Sequence, residues 1–357
     1  MSNDILLSII IPTFNRVSFL ETAVNCFVDQ IKADRLESAV EVIIGNNASE
    51  DATSAFVNHI KARYDFINGF NHPRNLGFSK NVEFLLKEAR GKHILICGDD
   101  DLLRNGAIAY ILKCIEEKKP NFILINTSNI LSLDNANRDF KIILENRLKI
   151  SKNIFMENFQ RDRGLLKPAR NWLYLTNFIT AVVFKKDLFE AELVNAKQYI
   201  RPENTFAFQG PIIIGISKYG KLLIIAECFA LHRKTEPHWT DENAQAIFFM
   251  DLFYSTEISS LIKKYMPDEY KKYKKLYATF IMEEFMIEIK RKMKILTIRK
   301  FAWIAFCKNF DCFPENIKFL SMVAAPKLIT RVAPKLQTYK KLINKMVTYI
   351  GKKDYEK

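Results

Sequence analysis

Over its first 130 residues the chain alternates short β-branched apolar runs with segments of helical period, and several of those runs end in a polar cluster. Ile5–Ile11 is the first run, closed by Pro12, and reads as a strand buried on both faces of a parallel sheet. Behind it Leu20, Ala23, Val24, Phe27 and Ile31 recur at helical spacing, with Ser18 and Glu21 three apart as in a capping box. Val40–Ile44 predicts a second strand, Asp51–Lys61 a helix and Asp65–Ile67 a weak third strand. Val82, Leu85, Leu86 and Ala89 mark another helix, His93–Cys97 a fourth strand, Ile108–Ile115 a helix and Phe122–Asn126 a fifth strand. Strand–helix alternation with short links predicts an α/β fold built on a doubly wound parallel sheet. Residues 130–175 are polar and less regular. A strand over Thr180–Phe184, a helix over Phe208–Tyr219 and strands over Lys221–Ala226 and Phe229–His232 follow. From about Asn243 the pattern is helical, with Met282, Met286, Ile289 and Met293 on one stripe.

Composition narrows the classes. Hydrophobic residues make up 48% of 357, and glycine and proline number only 11 each, so a packed core is expected and disorder is not. The six cysteines contain no C-x-x-C pair, which excludes a disulfide scaffold or zinc module and fits reduced thiols in the cytosol. No secretory leader opens the chain and no run approaches the ~20 apolar residues of a membrane-spanning helix, so neither is expected. Charge is unevenly placed. Residues 262–357 hold 23 Lys and Arg against 9 Asp and Glu, whereas residues 1–261 hold 31 of each. The whole excess of +14 therefore lies in the last quarter. The expected division is a catalytic domain over 1–240 and a helical, strongly basic region over 241–357.

Ligands of an open parallel sheet bind outside the carboxyl ends of its strands. Three polar clusters fall at such ends: Pro12–Arg16, Gly45–Asp51 and Gly98–Asp101. Together they describe a nucleotide cleft. The third is the sharpest, because Asp99, Asp100 and Asp101 repel one another unless a positive group compensates. Hard oxygen ligands of this kind suit Mg²⁺ or Mn²⁺, which can bridge a diphosphate. The alternative is an Asp-rich turn or helix N-cap. In the second cluster, Asn46, Asn47 and Ser49 are able to bond a base edge and ribose, or to form an ordinary Asx turn ahead of a helix started by Asp51.

Four motifs in order, Ser8–Arg16 (SIIIPTFNR), Val42–Asp51 (VIIGNNASED), Asn75–Asn81 (NLGFSKN) and Gly98–Asp101 (GDDD), together resemble the family 2 inverting glycosyltransferases. The resemblance covers roughly residues 5–235 and is strong to about residue 115. It implies a GT-A fold, a nucleotide-binding domain on a doubly wound mixed sheet, with a nucleoside-diphosphate-sugar donor and transfer dependent on Mn²⁺ or Mg²⁺. By the family pattern Pro12, Thr13, Asn15 and Arg16 lie along the nucleotide. Asn46, with Asn47 beside it, stands where many members carry an Asp toward the base, and Asn75 and Asn81 line the pyrophosphate or ribose. Asp99 and Asp101 bracket the metal–diphosphate motif, with Asp100 between them on the donor side.

The family pattern also has a Glu-Asp pair ahead of a late helix, which supplies the general base. Here the corresponding Phe208–Ile212 segment has no acid. Glu203, Asp187 and Asp241 are the nearest carboxylates, and Glu203 is the expected catalytic base. The stretch His232, Arg233, His238 and Trp239 after the last strand could fold over the donor phosphates or the acceptor sugar; within it His232 is expected to complete the metal shell, and Trp172, Tyr174 and Trp239 are candidates for stacking on a sugar or for the core. Two other readings share the cleft: a catalytically inactive sugar- or nucleotide-binding relative, and a sugar-nucleotide pyrophosphorylase. The second needs a glycine-rich phosphate loop after the first strand, and Pro12-Thr-Phe-Asn15 has no glycine. The basic tail contains no nucleic-acid-binding module, so no nucleic acid partner is expected. Its interleaved basic and aromatic residues predict peripheral binding to an anionic membrane, on the cytoplasmic face of the plasma membrane. The expected acceptor is a saccharide of a surface glycan such as lipopolysaccharide or capsule, free or lipid-linked, and the same tail leaves room for a homo-oligomer.

Overall fold

A computed structural model describes residues 5–134, 139–143, 148–169, 171–199, 207–233 and 257–273. The chain divides into two compact units, residues 1–238 with 260–267, and 239–259 with 268–357. Of the second unit, residues 257–259 and 268–273 are described, and they are helical.

In the first unit the chain runs β1 (Leu7–Thr13), α1 (Val17–Ala33), β2 (Val40–Asn46), α2 (Thr53–Arg63), β3 (Ile67–Asn71), α3 (Phe78–Glu88) and β4 (His93–Ile96). It continues with β5 (Asp101–Leu103), α4 (Ala107–Lys118), β6 (Phe122–Asp134), β7 (Asp139–Ile143), β8 (Ile154–Met156) and the short α5 (Phe159–Asp162). Three 3₁₀ turns (Arg163–Leu166, Trp172–Asn177, Ile179–Ala181) lead into β9 (Val182–Lys185), α6 (Lys186–Lys197), α7 (Gln209–Tyr219) and β10 (Leu222–Arg233). Among the described residues the strands form one sheet in the order β3-β2-β1-β4-β9-β6-β10-β5, with β7 on β6 and β8 on β10.

The β3-β2-β1-β4 block is parallel, and β6 and β10 are parallel to each other. Between the blocks β9 runs antiparallel to both β4 and β6, and β5 lies antiparallel on β10. The sheet is therefore mixed, as the family resemblance implied, with the parallel pairing that strand–helix alternation predicts confined to its blocks. Ile9, Ile11, Val42, Ile44 and Leu95 have no exposed surface and pack with the apolar stripe of α1 and with α4. Each such fully buried side chain stabilises the fold by roughly 1.5–3 kcal/mol relative to an exposed one.

Register makes the carboxyl edge level. Pro12 pairs with Gly45, Thr13 with Asn46, and Asn46 with Asn71. The opposite edge is locked by Glu41, buried at the amino end of β2. Its Oε1 accepts from Ser8 Oγ and the Arg90 N–H, both at 2.6 Å, and Oε2 accepts from Arg90 Nε at 2.8 Å. A buried carboxylate needs this full set of donors. It ties β1, β2 and the approach to β4 into one register.

Two expectations are corrected here. Helix α1 starts at Val17, so Ser18 lies within its first turn and forms no capping box. Instead Asp51 Oδ2, from the loop after β2, accepts from the Val17 N–H at 3.0 Å. The two strands expected over 221–232 are one strand, β10, whose pairing with β6 shifts register between Ile225 and Cys228 and again between Cys228 and Ala230. Irregularities of this kind re-aim the strand end.

Candidate active site

The carboxylate loop leaves β4 at the carboxyl edge. Gly98 is followed by Asp99, which is 5% exposed, and by Asp101, which opens β5. A Cβ at Gly98 would come within 3.0 Å of Asp100 Oδ1 and 3.1 Å of Asp101 Oδ2, so the loop closes on the glycine. Each aspartate has its own partners. Asp99 Oδ2 accepts from Thr13 Oγ1 at 2.8 Å, and its Oδ1 lies 2.9 Å from Arg16 Nη1. The same Nη1 is 2.9 Å from Asp100 Oδ2. Asp101 Oδ2 accepts from Thr180 Oγ1 at 2.5 Å, and Oδ1 lies 2.9 Å from His232 Nδ1. Beneath them Arg233 Nε donates to the Asp100 carbonyl at 2.7 Å.

Charge follows from this packing. Burial pushes the Asp99 carboxyl up to about 6, although Arg16 pulls in the other direction. Burial also works against the Arg16 cation, but Asp99 and Asp100 outweigh it and hold its pKa above the ordinary value. For Arg233 burial wins over the three aspartates and lowers the pKa.

Among the expected donor residues, Thr13, Arg16, Asp99 and Asp100 meet in one cluster. Pro12 is buried in β1. Asn15, exposed and at φ 54°, builds the loop interface: its N–H donates to Ser49 Oγ at 2.8 Å and its Oδ1 accepts from the Glu50 N–H at 2.7 Å. Asn47 Oδ1 accepts from the Leu76 N–H, and its Nδ2 donates to Asn75 Oδ1, each at 2.7 Å, so the second and third motifs are joined directly.

Asn46 and Asn81 are both held by partners within the protein. Asn46 is 1% exposed, with Oδ1 on the Ser49 N–H and Nδ2 on Asn71 Oδ1. Asn81 is equally buried, with Nδ2 on the Gly45 carbonyl at 2.8 Å and Oδ1 3.0 Å from His72 Nε2. Each amide is engaged at both its nitrogen and its oxygen within the protein and so shapes the loops after β2 and β3. Trp172 is fully buried against Phe159, with ring centroids 5.5 Å apart, and belongs to the core.

The general base falls partly outside the described residues: Glu203 and Asp241 lie there, as do His238 and Trp239, and the Tyr174 side chain is likewise not described. Asp187 is described and is misplaced. It follows β9, whose Lys185 pairs with His93 at the amino end of β4, so it sits at the opposite edge of the sheet from the aspartates. Gln209 heads α7 in the place of the missing acid. It is 2% exposed, its Nε2 donates to Asn177 Oδ1 at 3.1 Å, and its Oε1 has no partner among the described residues.

The residues suit a divalent ion in part. Among the described residues no three His, Cys, Asp or Glu side chains form a complete cage. Asp101 and His232, one hard oxygen and one imidazole side by side, would hold a Mn²⁺ or Mg²⁺ only with further ligands supplied from outside the protein. Asp99, the other expected ligand, has both oxygens engaged by Thr13 and Arg16, as Asp101 has by Thr180 and His232, so either would exchange a partner to take an ion. Sequence reasoning missed Thr180 and placed Arg233 only in a general stretch. The irregular approach to β9 hid the first, and only the pairing of β10 with β5 reveals the second.

A mixed sheet of this order, with an aspartate loop at its carboxyl edge, is the GT-A fold. The chain belongs to glycosyl transferase family 2, whose model matches residues 8–189, half of the chain. It is 28% identical over 191 residues to abequosyltransferase RfbV of Salmonella typhimurium, 52% of this chain and 54% of that protein. It is 31% identical over 112 residues to GalNAc(5)-diNAcBac-PP-undecaprenol beta-1,3-glucosyltransferase of Campylobacter jejuni, 31% of this chain and 35% of that protein. The chain thus matches about half or less of the length of these relatives. Its fold is similar to S. aureus TarS 1-349 in complex with UDP, with a TM-score of 0.57 at 14% identity over 89% of this chain and 92% of that one. It is also similar to mannosyltransferase PcManGT from Pyrobaculum calidifontis in complex with GDP-Man and Mn²⁺, at 0.53 and 12% over 96% and 83%. At such identities the likeness is one of fold.

Proposed function

We propose that the protein transfers a sugar, with inversion, from a nucleoside-diphosphate donor to the saccharide acceptor of a surface glycan. The observation that carries this reading is the Asp99–Asp101 loop at the carboxyl edge, fixed by side chains from β1, the head of α1, the approach to β9 and the end of β10. Thr13 and Arg16 set the Asp99 carboxylate and the entrance to α1, whose dipole favours phosphate. Asp101 and His232 hold the divalent ion. When bound, that ion offsets charge on the departing nucleoside diphosphate. Similarity to proteins named as abequosyl- and lipid-linked-glycan glucosyltransferases supports the acceptor class.

Glu203 takes the proton from the acceptor hydroxyl. Replacing a positioned base costs ~10²–10⁴-fold in rate, so E203Q is expected to lose that much turnover while donor binding stays intact. Turnover of E203Q near wild type moves the role elsewhere. A panel of sugar nucleotides, read by release of nucleoside diphosphate, identifies the donor. One observation favours a second reading, an inactive sugar-binding relative: the head of α7 carries Gln209 instead of an acid. Donor binding without release or transfer, in the presence of Mn²⁺ and acceptor saccharides, is its signature.

We further propose that residues 1–240 form the catalytic domain and that the basic region beyond them docks on an anionic membrane at the cytoplasmic face. Among the described residues no helix is long and apolar enough to cross a membrane. The charge excess beyond residue 262 supports a surface association.

A further inference from the structure

Strand β10 carries three residues that β6 does not match. Ile225 pairs with Ile125, Cys228 with Asn126 and Ala230 with Thr127, so Ala226, Glu227 and Phe229 have no partner in that ladder. Extra residues of this kind bend a strand and re-aim its side chains. Two asparagines hold the distortion in place. Asn126, fully buried in β6, donates from Nδ2 to the Ala226 carbonyl at 2.9 Å, and Asn153 Oδ1 accepts from the Ala226 N–H at 2.9 Å. The same three unmatched residues line a cavity of about 340 Å³, walled by Tyr110 of α4 and by Asn105, Ser151 and Asn153. A second cavity of about 330 Å³ adjoins it, and the two share Tyr110 and Asn153.

Tyr110 stands where the cavities meet. Its ring centroid is 5.3 Å from that of Phe229, and its hydroxyl accepts from Asn153 Nδ2 at 2.7 Å. Charge in the first cavity cancels, because Arg104 pairs with Glu227. In the second, Lys113 lies 3.9 Å from Glu117, and Lys118 lies 5.9 Å from the Phe155 ring centroid. Aromatic rings beside amides and paired charges match a neutral sugar, whose C–H faces pack on rings and whose hydroxyls both donate and accept. The place is also apt. Strand β5 sets Asp101 opposite His232 and Leu103 opposite Ala230, and the Arg104 N–H donates to the Phe229 carbonyl at 2.9 Å. The first cavity therefore begins three residues beyond Asp101. That is ~10 Å at ~3.3 Å per residue of strand. We propose that the double cavity is a saccharide subsite, which binds neutral sugar units of the acceptor glycan behind the end that reacts. The proposal rests on the glycosyltransferase reading. It makes the length of the acceptor, and not its reacting sugar alone, a determinant of affinity.

The test is saturation-transfer NMR on the full-length protein with neutral tetrasaccharides of glucose, mannose, galactose or N-acetylglucosamine, and with tetragalacturonate as an anionic counterpart. UDP, GDP, dTDP and CDP with Mn²⁺ report the donor site separately, and circular dichroism reports the fold. Wild type is expected to bind at least one neutral tetrasaccharide, and more tightly than the matching monosaccharide. Y110A removes the central ring, and N105W fills the cavity mouth from an exposed position. Each is expected to weaken tetrasaccharide binding by about tenfold or more while nucleotide binding stays unchanged. If Y110A disturbs the fold, N105W decides. Binding of no neutral tetrasaccharide by wild type overturns the proposal, and so does equal binding by N105W and wild type, which puts the sugar elsewhere. Preference for tetragalacturonate also overturns it, because the lysines then dominate. Each of these results leaves the glycosyltransferase reading standing if wild type binds a nucleotide with Mn²⁺. A wild type that binds neither nucleotide nor tetrasaccharide overturns both.

Discussion

Asp99 is the residue at which stability and function pull apart. Its carboxyl is pushed up to about 6 because burial disfavours the charge more than Arg16 favours it. In the unfolded chain the same group ionises near pH 4. Between these values the folded protein binds the proton more tightly, so this group's contribution to stability falls as pH rises from about 4 to about 6 and stays low above. D99N is therefore expected to melt no lower than wild type at pH 7–8, with a gain on the order of 1–3 kcal/mol. The difference is expected to vanish near pH 4. Activity is expected to fall, because the amide no longer attracts Arg16. Thermal melts across pH 4–8 check the first claim, and a melting temperature of D99N well below wild type at pH 7.5 contradicts it. The three aspartates were legible in the sequence because like charges seldom adjoin without a purpose. The partners of Asn46 and Asn81 were not, since an asparagine's partners depend on which strand edge and which loop face it.

At the scale of elements, the loop after β2 organises two helices at once. Asp51 Oδ2 caps α1 through the Val17 N–H, and Oδ1 accepts from the Thr53 N–H at 3.0 Å at the start of α2. Burial alone would raise its pKa, but the bonds from Thr53 and Val17 bring it below the ordinary value. Loss of a cap costs about 0.5–2 kcal/mol, so D51A is expected to lose about 1–2 kcal/mol in urea unfolding. The contribution requires the ionised form and is lost as pH falls below the ordinary carboxylate range. An unchanged midpoint for D51A contradicts this role. Strands β1, β2 and β4 and helices α1, α3 and α4 were readable because each has its own period. Strand β5 has three residues and β8 three, too short for any period to show. The antiparallel insertion of β9 was also hidden, because strand direction is set by partners and not by the apolar pattern. Helix α6 went unread for a different reason: its buried side includes Glu192, which accepts from Lys218 and Tyr219 of α7 and reads as solvated in the sequence.

For the whole molecule, the proposal joins a catalytic domain to a basic region that brings it to its acceptor. Lys290, Arg291, Lys292 and Lys294 interleave with Met286, Ile289, Met293 and Leu296. Each basic residue near an anionic surface contributes ~1 kcal/mol, so replacing those four by Gln in the full chain is expected to weaken co-sedimentation with anionic liposomes by at least about tenfold. Salt is expected to weaken wild-type binding too, by screening over about 8–10 Å. Equal sedimentation of variant and wild type contradicts the docking role. The central claim is that the carboxyl-edge aspartates carry metal-dependent sugar transfer. Its most direct measurement is nucleoside diphosphate release by purified full-length protein from a panel of sugar nucleotides, with and without EDTA, in wild type and D101A. The account predicts release from one donor class, abolished by EDTA and restored by Mn²⁺ or Mg²⁺, and a loss of at least ~10²-fold in a D101A protein whose fold is unchanged. Release that survives both EDTA and D101A at the wild-type rate contradicts it.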